Sequence, residues 1–311
     1  MFSFRLKTSL LLAGILLAAP LCASTYNPFQ SVSDYNAIIF GNATADGGDI
    51  EGRAAVAGNF TASSFSVGYY AKPDKSKYSL VVGGDLDAKW NWPVCNGNTA
   101  YGHDLVGKPS TNGDYTISKA KPVDFQAVKK EMQSASTYLA SLSGNGTVSF
   151  NGHNTLSLTG TDANLNVFNI GADQLANWYG VTDRQITAPA GSTVIINVSG
   201  NGGSLANGLA LNGTSMSKVI FNYYQASSLE VRLALTGSLL APNTNVTFKS
   251  GSVNGIGVVN NSDQLWGGEY HIAKGFDGRV PQMPSVPEPA SLLAICIGLG
   301  SLIPMLRRKR A

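Results

Sequence analysis

Cysteine is almost missing from this chain. Of three cysteines in 311 residues, Cys22 and Cys296 sit in the terminal segments and only Cys95 lies between them. No internal disulfide framework can therefore hold the central chain, which has to fold on its own core. Charge is also scarce, at 13% of residues. The three histidines, His103, His153 and His271, lack the spacing of metal ligands. No G-x-S-x-G elbow, Walker loop or dinucleotide fingerprint occurs, so the sequence offers no catalytic residue, cofactor site or metal site. What it has in quantity is glycine, 35 residues, together with many asparagines and serines. That composition points to a β-rich, turn-rich exported protein rather than a helical or disordered one.

The two ends carry their own signals. Arg5 and Lys7 precede an apolar run over 10–21, and Cys22, Ala23 and Ser24 follow as small residues. Residues 1–23 read as a secretory signal peptide. At the other end stand Pro287, Glu288 and Pro289, an apolar stretch over 290–306, then Arg307, Arg308, Lys309 and Arg310. As a helix that stretch would reach about 25 Å against a bilayer core of about 30 Å, a marginal span. Its basic end would stay cytoplasmic. Residues 281–291 form a Pro-rich spacer, and 292–311 a membrane-spanning, basic tail. Of the 22 basic residues, two fall in the signal and four in the tail, which leaves 16 against 18 acidic residues once Glu288 is removed. The basic balance thus belongs to the ends, and nucleic-acid binding is not expected.

Between the ends one local pattern recurs: Gly, then Asn or Asp, then an apolar residue. It stands at Gly41-Asn42-Ala43, Gly48-Asp49-Ile50, Gly58-Asn59-Phe60 and Gly84-Asp85-Leu86. Three of these follow short apolar β-type runs, as corners of a solenoid or meander would. Residues 69–112, rich in Tyr, Trp and Lys, read as a decorated insertion of low regular structure. The spacing of Phe125, Val128, Met132, Ala135, Leu139 and Leu142 then predicts one long amphipathic helix. Asp124 is its N-cap and Gly144 its stop. Short β-type runs resume from residue 147 to 259. Asn-Gly pairs at Asn145, Asn151, Asn201, Asn207, Asn212 and Asn254 punctuate them, which keeps a β-sandwich of hairpins open as the alternative. The expected fold is mainly β: a β-solenoid with one long flanking α-helix.

Two blocks carry a family resemblance. The first is Asn36-Ala37-Ile38-Ile39-Phe40 with residues 48–59; the second is Val219-Ile220-Phe221-Asn222 with 237–243 and Gly268-Glu269-Tyr270-His271. Together they resemble the choice-of-anchor A family across 24–280, and the tail resembles a PEP-CTERM sorting signal. The resemblance implies an adhesive β-solenoid, similar to ice-binding-type adhesion domains that pair a β-helix with one flanking helix. It also implies an exosortase-type processing protease as partner. The protein would be anchored transiently in the inner membrane and then sit at the cell surface or in the matrix of a Gram-negative bacterium.

A few side chains invite a chemical role. Glu51 and Arg53 form either a recognition pair or an ion pair fixing a corner. Glu269 and His271 alternate on a strand and share a face, as an acid/base pair would. Asp46, Asp49, Asp85 and Asp87 carry oxygen ligands at turns, without the spacing of a Ca²⁺ loop. Trp90, Trp92 and Tyr101 are candidate contacts for an extracellular polysaccharide, because aromatic rings pack against sugar C–H faces. The competing reading makes them a satellite core under a long loop. A polysaccharide-active enzyme on the same scaffold is the rival function, and it would need carboxylates converging on one groove.

Overall fold

The computed structural model describes residues 24–151, 155–176, 183–205, 209–264, 267–272 and 275–283. The signal peptide, the Pro-Glu-Pro motif, the basic tail and His153 lie outside the described residues. Within them, short β-runs wind into a three-faced parallel β-solenoid. One coil takes Ala37–Ile39, Ala43–Asp46 and Asp49–Ile50 in turn. The next repeats it with Ala54–Val56, Phe60–Ser63 and Ser66–Val67. Equivalent strands pair in parallel, so Ile38 lies opposite Ala55, Thr44 opposite Thr61 and Ile50 opposite Val67.

Residues 69–112 correct the expectation of an irregular insertion. They hold two further coils, built from Tyr78–Val82, Leu86–Ala88 and Pro93–Val94, then Asn98–Tyr101, Leu105–Gly107 and Ser110–Thr111. The exposed Tyr69, Tyr70 and Trp90, together with the lysines, disguise them, while Leu80, Val82, Leu86, Trp92 and Val94 keep the interior apolar.

The Gly-Asn corners have a specific cause. Asn42 Oδ1 accepts from the Asn59 N–H at 2.9 Å, Asn59 Oδ1 from Asp85 N–H at 2.9 Å, and Asp85 Oδ1 from Asp104 N–H at 3.1 Å. Each corner side chain thus satisfies a backbone donor of the next coil, which would otherwise have no partner. Glycine precedes it for lack of room: a Cβ at Gly84 would lie 2.2 Å from Asn59 Oδ1.

The chain starts in the middle of the stack. After the last N-terminal strand, Ile117–Lys119, helix α1 (Phe125–Ser141) returns along one face toward the far end. The second half then winds back through Leu165–Gly171, Thr193–Ser199, Val219–Tyr223, Ser238–Phe248 and Gly257–Gln264. That final strand pairs with Ser238–Phe248 on one side and with Ala37–Ile39 and Ala43–Asp46 on the other, joining the halves. Among the described residues, antiparallel pairing is confined to Thr25–Tyr26 with Val280–Pro281 and Thr147–Asn151 with Thr155–Thr159. The sandwich of hairpins is excluded.

Helix α1 begins where Asp124 Oδ1 accepts from the N–H groups of Gln126 and Ala127, as the sequence indicates. Its stop differs: Leu142 already turns extended, before Gly144. Met132, Ala135 and Leu139 pack on Ile195, Ile220, Leu240 and Val258, and so bury the outer side of one solenoid face. A polar seam crosses this contact. Ser136 Oγ donates to Asn222 Oδ1 at 2.6 Å, and Asn197 Nδ2 donates to the Leu139 carbonyl at 2.8 Å.

Candidate functional site

With one face under the helix, the neighbouring face is open. Its strands alternate cleanly: Ala43, Ala45, Phe60, Ala62, Leu86 and Ala88 point inward and are buried. Thr44, Asp46 and Thr61 point out and are exposed. Because the pairing is in register, outward residues line up across strands. One row runs Ser204, Glu230, Thr247, Asp263, Thr44, Thr61, Asp87 and Val106. At the usual strand separation it spans about 34 Å.

Much of the row and its flanks is braced by side chains of the same face. Thr44 Oγ1 donates to Asp263, Ser63 Oγ donates to Asp46 at 2.7 Å, and Ser204 Oγ donates to Glu230 at 3.2 Å. Arg232 pairs with Glu230 at 2.5 Å and Lys89 with Asp87 at 3.2 Å. The rotamers are thus held before anything binds, which lowers the ordering cost of contact. Reading the sequence alone did not find this row. Its only trace is a Thr, Asp or Ser between two inward-facing residues of each short run.

At one edge of the open face the chain turns through Trp90 and Trp92. Trp92 is 2% exposed and packs on Phe60, with ring centres 5.4 Å apart, and on Phe65 at 6.3 Å. Trp90 is 72% exposed. With Ser63, Ser64, Phe65, Trp92 and Pro93 it lines an open cleft of about 590 Å³. Tyr101 lies elsewhere, on Asn98–Tyr101 beneath the helix side, partly buried against the interior. The two tryptophans come together; the tyrosine does not join them.

The remaining candidates disperse. Glu51 and Arg53 do not pair: Glu51 Oε2 accepts from Ile272 N–H at 2.8 Å, while Arg53 Nη2 donates to the Lys72 carbonyl at 2.7 Å. Glu269 and His271 do meet on the third face, with Nε2 and Oε2 2.7 Å apart and His271 Nδ1 2.8 Å from Asn254 Oδ1. Beside them the Asp49 carboxyl is pushed up to about 6, chiefly by burial, then by Glu269 and Glu51, with His271 opposing. Asp46, Asp85 and Asp87 are spent on Ser63, the Asp104 N–H and Lys89. Among the described residues no three carboxylate, histidine or cysteine groups are placed to hold a metal ion.

An in-register, parallel, corner-braced sheet of this kind defines a parallel β-solenoid with one face open and one covered by a helix. Residues 28–272 match the family of ice-binding-like adhesive domains, and the chain belongs to that family. Two solved structures are similar to it at low identity. One is an ice binding protein from an Antarctic biological consortium, at 13% identity and a TM-score of 0.34, covering 87% of this chain and 96% of that one. The other is an ice-binding protein from the ascomycete Antarctomyces psychrotrophicus, at 14% identity and a TM-score of 0.31, covering 78% and 96%. No curated protein matches the chain.

The family match corrects the choice-of-anchor A resemblance and the PEP-CTERM pairing that went with it. The same short corners and apolar runs serve both readings, so the motifs quoted for one did not separate them. Inner-membrane anchoring is corrected as well: no helix among the described residues is long and apolar enough to cross a membrane. Pro287, Glu288, Pro289, Arg307, Arg308, Lys309 and Arg310 fall outside those residues, and nothing found supports an exosortase-type partner. The family to which the chain belongs is described by adhesion, not by a reaction.

Proposed function

We propose that this domain attaches to an extended extracellular polymer rich in hydroxyl groups, docking through its open face with Trp90 continuing the contact at the edge. The observation that supports this is the outward row of threonines and carboxylates, in register across six strands from Glu230 to Asp87 and partly braced before contact. Carboxylates accept hydrogen bonds from sugar hydroxyls, threonine does both, and an indole ring covers sugar C–H groups. A repeating polymer surface can meet many such groups at once, and weak contacts then sum.

A second reading is ice itself. Thr44 and Thr61 are adjacent and exposed on the open face, and the family takes its description from ice binding. Against it, Asp263, Asp87 and Glu230 in the same row hold hydration shells that a lattice of water alone does not replace.

The test uses the double variant Thr44→Tyr with Thr61→Tyr, both exposed and so expected to keep the melting temperature. Retention on cellulose beads should fall at least ten-fold. Unchanged retention would refute the open face as the contact. Ice shaping by the unsubstituted chain, with no retention on cellulose, would favour ice.

A further inference from the structure

At the corner between the third face and the helix-covered face lies a pocket of about 300 Å³, lined by Tyr35, Gly52, Arg53, Lys72, Ile256 and Ile272 among others. That volume is at the small end for ligand sites. Its charge is unbalanced. Arg53 lines it and forms no ion pair among the described residues; one guanidinium nitrogen holds the Lys72 carbonyl, and the buried Nε has no partner. One acid, Asp34, also lines the pocket, and it and Asp74 nearby are already occupied. Asp34 pairs with Lys77, and Asp74 accepts from both the hydroxyl and the N–H of Ser76. Lys72 is exposed at the rim, and no ion pair engages it among the described residues. Asn36, at the pocket floor, is fully engaged: it donates to Gly255 and His271 carbonyls and accepts from Gly52 N–H.

Arg53 spends one Nη2 donor on the Lys72 carbonyl and has no acidic partner among the described residues, so its remaining Nη donors can take a carboxylate. The lining is mixed, with Tyr35, Ala71, Ile256 and Ile272 supplying its apolar and aromatic part and Ser33, Asp34 and Asn36 polar groups beside Arg53 and Lys72. We infer that this pocket is a binding site for a single carboxylate-bearing sugar, a hexuronate unit, with Arg53 on the carboxylate, Lys72 as long-range support and the Tyr35 ring against the sugar. The site is separate from the open face and does not depend on the reading given to that face.

The test is a titration of the whole chain with glucuronate, using glucose and acetate as controls, followed by amide chemical shifts. Glucuronate should shift Gly52, Arg53 and Lys72, and bind at least ten-fold more tightly than glucose or acetate, with affinity falling as salt is added. Lys72→Gln keeps the Arg53 bond, which uses only the Lys72 main chain, and should weaken binding about three-fold. Arg53→Gln should abolish it, and Arg53→Lys should fail to restore it, because a point charge cannot complete the fork. Melting curves identify any variant that does not fold. Equal binding of glucose, or glucuronate binding that survives Arg53→Gln in a folded protein, overturns the proposal. Acetate binding as tight as glucuronate also overturns it, by showing a bare anion site. Thr44→Tyr with Thr61→Tyr should leave glucuronate binding unchanged, which separates this result from that of the open face.

Discussion

The helix-covered face and the open face are two sides of one solenoid, wound from the same coils around one interior. They differ only in what points outward. On the covered face it is Ile38, Ala55, Ile195, Ile220, Leu240 and Val258, all buried. On the open face it is Thr44, Thr61, Asp87, Thr247 and Asp263. The first set requires an intramolecular partner, because an apolar area of that size does not stay in water. The second does not, and is left available for an external one. The division between stability and function in this molecule therefore runs between faces of the same coils.

The comparison breaks most sharply under a change of charge. Ile220→Asp places a carboxylate in the dry contact with α1 and should cost about 4 kcal/mol or more, leaving little folded protein. Thr61→Lys, on the open face, should stay within about 0.5 kcal/mol. Equal effects in chemical denaturation would mean that the faces are not distinct in the way described. Next in size is Leu139→Ala, which removes a fully buried side chain of α1 and should cost about 2–5 kcal/mol. A loss near zero in the same experiment would mean that the helix covers nothing of consequence.

Much of the covered face was legible beforehand, because its signals are local. The stripe from Phe125 to Leu142 gives the helix, Asp124 gives its start, and unalternating runs such as Val194-Ile195-Ile196 give strands buried on both sides. The open face was not legible. A strand of three or four residues shows too little alternation to separate a Thr aimed at solvent from a Thr in a turn. The row itself exists only once the register of strands up to 219 residues apart is known. Asn-Gly pairs misled for a related reason. Asn201 and Asn145 do not make two-residue hairpins; their side chains accept from Ser227 N–H and Val167 N–H of neighbouring coils. The same dipeptide serves a hairpin and a solenoid corner, and only the distant partner separates them.

The third face lies between the other two, and its smallest effect is a pH dependence. The Asp49 carboxyl sits near 6 in the folded chain, against an ordinary value of about 3.9. The folded state therefore holds this proton more tightly. The stabilising contribution is complete below about pH 4 and is lost as pH rises through about 6. Asp49→Asn should flatten the melting temperature between those values and raise it modestly at pH 7 and above. A variant less stable than the parent at pH 8 would show that the ionised carboxylate is instead held favourably.

The account stands on the open face being the surface that touches the target, and footprinting measures this directly. Amide hydrogen exchange would be compared for the chain free in solution and adsorbed on cellulose. The expected result is new protection in residues 43–46, 60–63, 245–248 and 261–264, with helix α1 unchanged. Protection centred on residues 125–141, with the open-face strands exchanging as they do in solution, would contradict it.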